Sequence, residues 1–316
     1  MSGNPAENVI AFCKDIGCSF LEQEPLSKHT SFRIGGPARL FLQPEKTGQL
    51  PELIETVRGS GLPWAVIGNG SNILAKDEGF PGVVIQIGNR FSNIQTEGAF
   101  EIRCQAGASL AAVSRFSAEH SLSGLEFACG IPGAVGGAVF MNAGAYGGEI
   151  SQRLVSVVQV TIPEIGKPFL ETVPVEDLEL SYRYSKYQKE SPAITAVIAE
   201  AVFRLEKGEK EASLVKIEEL LKLRREKQPL EFPSAGSAFK RPAGSYASLL
   251  IDQCGLKGFR VGDAQVSEKH AGFIINRGAA SCADVLELVS QVQKCVLEKT
   301  GFWLEPEFRL LDAAAI

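Results

Sequence analysis

The chain is poor in histidine, with three in 316 residues at positions 29, 120 and 270. They lie far apart, so no histidine-rich metal site is expected, and no metal at all. The seven cysteines (13, 18, 104, 129, 254, 282 and 295) are scattered, odd in number and lack a CxxC pair. That spacing supports neither a disulfide framework nor a zinc site, and the thiols read as reduced core residues. Basic residues are outnumbered, 32 Lys+Arg against 37 Asp+Glu, for a net charge of -5. A general nucleic-acid coat or a polybasic membrane binder is thereby excluded. No run reaches the roughly 18 apolar residues of a membrane span. The N-terminus has neither a basic n-region nor an apolar stretch, so a cytoplasmic protein without a secretory signal is expected. No GxSxG elbow is present, which leaves a Ser-His-Asp arrangement open but unsupported. There is no GxGxxG opening a helix and no GxxxxGK[ST], so neither a Rossmann site nor a P-loop is indicated. Internal repeats and low-complexity tracts are also lacking.

What remains is an ordinary globular composition, 45% hydrophobic and 22% charged, of a length that suggests two domains. Glycine is in excess, 32 residues or about 10% against an average near 7%. Residues 32–42 read as strand, glycine turn and strand. Thr47 is placed to cap a helix to about Arg58, with Leu50, Leu53, Ile54 and Val57 at i, i+3, i+4 and i+7. Strands are expected at 64–67, 82–88, 100–106, 153–162, 168–173 and 193–205, with a helix at 109–120. The charged stretch 206–210 reads as a linker or a solvated turn. A helix over 209–227 follows, with Leu214, Ile217, Leu220 and Leu221 on one side. Beyond it come a loop at 229–237, helices at 245–254 and 282–300, and strands near 264–267, 272–276 and 305–311. The pattern is α+β rather than strict βαβ alternation.

Residues 130–148 hold seven glycines in 19 positions. Two readings compete: tight helix-on-sheet packing, or a backbone that approaches a bulky ligand with its amides turned to a phosphate. Gly68-Asn69-Gly70-Ser71-Asn72 follows a hydrophobic strand. It reads as an anion-binding nest or as a hairpin turn. Two such segments in one β-rich domain favour a single extended ligand with a pyrophosphate.

Eight motifs in order resemble the UDP-N-acetylenolpyruvoylglucosamine reductase (MurB) family. They are Thr30–Gly36 (TSFRIGG), Ile67–Leu74 (IGNGSNIL), Gly130–Gly137 (GIPGAVGG), Asn142–Gly147 (NAGAYG), Leu180–Ser185 (LSYRYS), Pro233–Pro242 (PSAGSAFKRP), Val266–Asn276 (VSEKHAGFIIN) and Leu304–Arg309 (LEPEFR). The resemblance runs from about residue 25 to 311. It implies a two-lobed FAD-binding domain of the vanillyl-alcohol-oxidase (PCMH) type over 1–207, with lobes 1–92 and 93–207. A smaller α+β substrate-binding domain over 208–303 and a C-terminal strand, 304–316, returning to the first domain complete the expected fold. Ala193, where the next strand is expected to begin, lies only 11 positions beyond Tyr182, which resembles the family's second type without a substrate-covering loop.

The resemblance further implies non-covalent FAD, NADPH as reducing co-substrate, and reduction of UDP-N-acetylglucosamine enolpyruvate to UDP-N-acetylmuramate. The product serves peptidoglycan synthesis, and with it cell shape and division. A monomer with no nucleic-acid or membrane partner is expected. Carried over by position, Ser237 is the proton donor, Arg183 forks onto a carboxylate, and Glu307 acts beside it. Taken alone, these three read as a loop hydroxyl, a surface ion-pair arginine and an edge carboxylate beside Arg309. FAD is expected against Arg33, Gly68, Asn69, Gly70, Ser71, Asn72, Ile73, Leu74, Gly130, Ile131, Gly133, Gly136, Gly137, Asn142 and Gly144, with Arg224 or Arg225 in contact. Substrate contacts are expected from Tyr182, Lys240, Lys269 and His270, with Arg241 and Lys257 as further cations for the diphosphate. Two other functions stay open on the residues alone. One is a flavin oxidase or dehydrogenase with another small substrate, and the other a non-catalytic nucleotide-binding module.

Overall fold

A computed structural model describes residues 4–189 and 194–313. Helix α1 (Pro5–Ile16) opens the chain. Asn4 Oδ1 accepts from the Ala6 amide at 3.2 Å, Pro5 fits the first turn, and Gly17 closes the helix at φ 68. The first sheet orders strands Ser19–Pro25, Pro37–Gln43, Phe80–Gln86 and Trp64–Ile67. Its first pair is antiparallel and the other pairs are parallel. Alternation along Pro37–Gln43 sends Leu40 and Leu42 to one core and Phe41 to another, so this strand is covered on both faces. Helix α2 (Leu50–Gly59) buries Leu50, Leu53, Ile54 and Val57, the stripe its spacing predicts.

The second sheet is antiparallel, in the order Phe169–Pro174, Leu154–Thr161, Ala196–Arg204, Glu101–Gln105 and Ile94–Glu97. Helices α3 (Leu110–Glu119) and α4 (Val135–Phe140) accompany it, α3 capped by Ser109 Oγ on the Ala112 amide at 3.2 Å. Both sheets feed one core, with Leu42 and Ile85 beside Ile102, Val157 and Phe203. Helix α5 (Lys210–Lys227) follows the expected boundary at 207, yet it packs on α3 and the turn Glu126–Gly130 of the preceding lobe. Ser213 Oγ donates to Glu126 Oε1 at 2.7 Å there.

The last unit has an antiparallel sheet, Ser234–Ser237, Phe273–Asn276, Ala264–Val266 and Arg260–Val261, beside α6 (Ala247–Gln253) and α7 (Cys282–Thr300). Its core takes in Phe32, Ile34 and Leu74 from the first lobe. The final strand Arg309–Leu311 runs parallel to Ile73–Ala75. Asp77 accepts from the Cys282 and Ala283 amides at 2.8 and 3.1 Å, which places a carboxylate at the start of α7.

Four local expectations differ from the structure. Thr47 does not cap α2: it lies in the preceding turn Thr47–Gln49 and its Oγ1 donates to Glu200 Oε1 at 2.6 Å. Residues 32–36 form no strand. Thr30 Oγ1 donates to the Ile34 carbonyl at 3.1 Å and Arg33 takes φ 55, so Phe32 and Ile34 both turn inward. The expected strand at 305–311 is confined to its last three residues, because Pro306 forms an isolated bridge with Phe239 instead. The strand expected to begin near 193 begins at Ala196, and Ala193 lies outside the described residues. Among the described residues no helix is long and apolar enough to cross a membrane, and no cluster of His, Cys, Asp and Glu is arranged to hold a metal.

Candidate active site

The two glycine segments meet. After strand Trp64–Ile67 the chain turns through residues 68–72, with Gly70 at φ 63. A Cβ at Gly70 would stand 2.0 Å from the His29 carbonyl, so this position has no room for a side chain. A Cβ at Gly133 would lie 3.6 Å from Ser71 Oγ, and one at Gly68 would lie 3.5 Å from Ala134 Cβ. Segments about 60 residues apart in sequence thus share one surface. Among the described residues, no backbone carbonyl accepts from the amides of Asn69, Gly70 or Ser71. These amides form a nest suited to an anion. Helix α4 has only six residues, so this loop, rather than a long helix dipole, is the main source of positive backbone potential.

Both segments line a cavity of about 1020 Å³ that continues past Arg183 to the last unit at Ala235, Gly236, Ser237, Phe273, Glu307 and Arg309. This volume is at the upper end of small-ligand pockets, roughly 300–1,000 Å³, and fits an extended dinucleotide better than a single nucleotide. Ile73, Ile87, Ile131 and Phe273 give it apolar walls. Helix α5 brings Arg224 to the wall beside Gly130, where a Cβ would meet the arginine Cδ at 3.1 Å. Burial lowers the pKa of Arg224, and the groups acting on it electrostatically are Tyr146 and Cys129 rather than a carboxylate. A half-buried guanidinium without a carboxylate partner among the described residues, beside a nest of open amides, matches the needs of a diphosphate.

At the far end Arg183 Nε donates to Glu307 Oε1 at 2.6 Å and Nη2 donates to the Gly144 carbonyl at 3.3 Å. Arg183 sits in the turn Ser181–Tyr184 at φ 56, with its guanidinium 5.1 Å from the Tyr182 ring centre. Glu307 is held by its backbone: its amide donates to the Ala238 carbonyl at 2.9 Å and its carbonyl accepts from Asn72 Nδ2 at 3.0 Å. Burial raises the Glu307 carboxyl pKa, and the opposing pulls of Arg183 and Lys240 do not cancel it. Ser237 ends its strand directly after Gly236, which takes φ 77, and its side chain opens onto the same cavity.

The remaining expected residues divide clearly. Gly68 through Ile73, Ile131, Gly133, Gly136, Gly137, Gly144 and Arg224 line the cavity. Leu74 is buried in the last unit's core, Arg33 is exposed elsewhere, and Gly130 lies under Arg224. Arg225 turns outward to Glu218 at 2.6 Å. The Asn142 amide is spent on the Ser181 carbonyl and the Ser151 amide, each at 3.0 Å. Tyr182 stands half exposed outside the lining and accepts from the Arg241 amide at 3.1 Å. Lys240 pairs with Glu305 at 2.5 Å, Lys257 with Asp252 at 2.9 Å, and Lys269 Nζ donates to the Arg225 carbonyl at 2.8 Å. Arg241 lies over the Tyr246 ring at 4.5 Å. His270 Nδ1 accepts from the Gly272 amide at 3.1 Å, and burial lowers its pKa, so the ring is held neutral.

Sequence reasoning missed Arg309, Gln188, Tyr187 and Gln159, all of which line the cavity. Arg309 was signalled: it lies two residues beyond Glu307 in extended chain and so on the same side. Gln188 carried no signal, because only the fold brings it beneath the Arg183 turn.

The two-lobed sheet architecture and its glycine-floored cavity define an FAD-dependent oxidoreductase whose C-terminal unit contributes to the cavity wall. A family model described as an FAD binding domain matches residues 38–163, and one for the C-terminal domain of UDP-N-acetylenolpyruvoylglucosamine reductase matches residues 228–311. The chain is 48% identical over 302 residues to the UDP-N-acetylenolpyruvoylglucosamine reductase of Agathobacter rectalis, covering 92% of this chain and 93% of that protein. It is 44% identical over 299 residues to the protein of the same name from Heliobacterium modesticaldum, covering 94% and 92%. The crystal structure of the Thermus caldophilus enzyme superposes with a TM-score of 0.75 at 35% identity, covering 93% of this chain and 99% of that one. The chain belongs to the UDP-N-acetylenolpyruvoylglucosamine reductase family.

Proposed function

We propose that this protein reduces the enolpyruvyl group of UDP-N-acetylglucosamine enolpyruvate to the lactyl ether of UDP-N-acetylmuramate, with NADPH as the electron source. The reading is carried by one observation: Arg183, Glu307 and Ser237, from three distant parts of the chain, open onto one cavity floored by both glycine segments. FAD supplies the hydride chemistry when bound, and the loop 68–72, Ile131, Gly133, Gly137 and Arg224 are placed to hold it. Reduction of the carbon–carbon double bond adds one hydride to one carbon and one proton to its neighbour. Arg183 offers Nη1, which has no partner among the described residues, to the substrate carboxylate and favours the negative charge that grows there. Glu307, with its raised pKa, holds a proton more readily than an ordinary glutamate and so adds less repulsion beside that carboxylate. Ser237 hands its hydroxyl proton to the adjacent carbon. A serine is a weak acid, but an enolate carbon is a strong base and the donor is already in place.

The cytoplasmic location and monomeric state are part of the same proposal. The location is supported by seven cysteines that all stand as free thiols, as expected of a reducing compartment. We place the start of the substrate domain nearer 228 than 207, because α5 leans on the preceding lobe.

The deciding experiment is anaerobic. Protein reduced by NADPH should regain its oxidised flavin spectrum when the enolpyruvyl substrate is added. A flavin that stays reduced would point to another substrate, and protein that takes up no FAD would point to a non-catalytic module.

A second expectation concerns the glycine floor. Gly137 lies in α4, lines the cavity, and a Cβ there would meet nothing within 4 Å. Leucine is a better helix former than glycine by roughly 0.5–1 kcal/mol. Gly137→Leu should therefore leave the apoprotein at least as heat-stable while its side chain occupies the ligand's space. Fluorescence titration should show FAD affinity lowered by roughly 100-fold or more, about 2.7 kcal/mol. Unchanged affinity would remove Gly137 from the flavin contact surface.

A further inference from the structure

We infer that Gln188 is the positioning residue of Arg183, an inference that rests on the reading of Arg183 as the group that meets the substrate carboxylate. Arg183 holds φ 56, a left-handed conformation that residues with a Cβ disfavour. Such a conformation persists where its surroundings over-determine it. The turn closes on itself through reciprocal Ser181 and Tyr184 backbone bonds, each 3.1 Å. Asn142 Nδ2 pins its start by donating to the Ser181 carbonyl at 3.0 Å. Gln188 Nε2 pins the arginine itself, donating to the Arg183 carbonyl at 3.0 Å and to the Phe140 carbonyl, at the end of α4, at 2.7 Å. On the other side of the amide, Oε1 faces Arg309 Nη1 at 3.5 Å.

The chemistry of these contacts selects an amide. Here two carbonyls take the two N–H donors of one nitrogen, and a cation takes the oxygen acceptor on the same carbon. A glutamate would keep the oxygen for Arg309 and turn a negative charge on both carbonyls. A methionine would keep the length and supply neither donor. Ser185 Oγ also donates to the Phe140 carbonyl, at 2.7 Å, but Gln188 alone of the two joins that carbonyl to the Arg183 carbonyl, and so sets the arginine against the end of α4, which belongs to the flavin floor, and against the strand that follows Glu307. Loss of the two donations frees the backbone at residue 183 and lets the guanidinium drift from its 2.6 Å contact with Glu307. A displacement of about 1 Å in a positioning group is worth up to roughly 100-fold in rate.

The test uses the FAD-loaded enzyme and two variants, Gln188→Met and Gln188→Glu, either of which suffices if the other fails to fold. Flavin content and the rate of flavin reduction by NADPH are expected to stay within about twofold of the native enzyme, since the hydride-accepting half of the cycle does not need Arg183. Reoxidation by the enolpyruvyl substrate is expected to slow by roughly 10- to 100-fold, mostly in the maximal rate. In an Arg183→Lys background the same change should add less than about twofold, because Gln188 acts through Arg183. Crystals of Gln188→Glu should show residue 183 out of the left-handed region. Native reoxidation in both variants, or a full extra loss in the Arg183→Lys background, overturns the inference. A native enzyme that fails to be reoxidised by this substrate overturns the functional reading instead, and the backbone at 183 in the Gln188→Glu crystals still decides the structural part.

Discussion

Replacing Ser237 with alanine is expected to leave reduction of the flavin by NADPH within about twofold of the native rate and to slow reoxidation by the enolpyruvyl substrate by roughly 10²- to 10⁴-fold. The asymmetry follows from where the hydroxyl stands. Ser237 opens onto the cavity one residue before Ala238, whose carbonyl holds the Glu307 amide, and belongs to neither of the two glycine segments. Among the described residues its side chain makes no hydrogen bond that holds the fold together, and exposed substitutions of this kind usually change stability by less than about 0.5 kcal/mol. Loss of the proton donor therefore shows up in one half-reaction and nowhere else. The measurement is stopped-flow absorbance at the flavin band, with each half-reaction followed separately under anaerobic conditions. Equal slowing of both halves would mean that alanine disturbs the flavin site. An unchanged reoxidation rate would mean that water or another group delivers the proton.

Much of this arrangement was legible in the sequence, and the parts that were not share a cause. Helix α2, helix α3 with its Ser109 cap, and the sheet strands carry their periodicity within ten residues or so. The stretch Thr30–Gly36 does not. Its apolar Phe32 and Ile34 alternate like a strand, but both are buried by the last unit's helices and sheet, a contact made across some 200 residues. Helix α1 carries its own sequence signals, an Asn4-Pro5 start and a Gly17 stop. For the site, the glycine segments identified themselves by composition. The cations did not, since Lys240, Lys257 and Lys269 look on paper like Arg224 and Arg309. What separates the two groups is whether, among the described residues, the charge is already engaged. Each lysine is engaged outside the cavity, by Glu305, Asp252 and the Arg225 carbonyl, while both arginines line the cavity and, among the described residues, neither is paired with a carboxylate. Which charges find partners is decided by the fold, and residue type alone does not record it.

Glu307→Gln should separate catalysis from stability in opposite directions. Glutamine keeps an oxygen for Arg183 Nε and stands in for the protonated glutamate. It cannot ionise, so the electrostatic tuning around the substrate carboxylate is lost, and turnover should fall by roughly 10²- to 10³-fold. Stability follows the proton. Burial raises the Glu307 pKa above its unfolded value despite Arg183 and Lys240, so the folded protein binds this proton more tightly than the unfolded chain. Below the unfolded glutamate value both states are protonated and the residue adds no cost. As pH rises through the raised folded value the unfolded chain has already lost the proton, and the folded state bears the full cost of a buried negative charge. The glutamine variant carries none of that cost. Its melting temperature should match the native protein in acid, near the ordinary glutamate pKa, and exceed it at pH 8. Thermal unfolding of both FAD-bound proteins across this range is the check. A variant that melts lower at pH 8 and recovers in acid would show that the ion pair with Arg183 outweighs burial. Glu307 would then act as a permanently ionised anchor for that arginine rather than as a carboxyl poised to hold a proton beside the substrate.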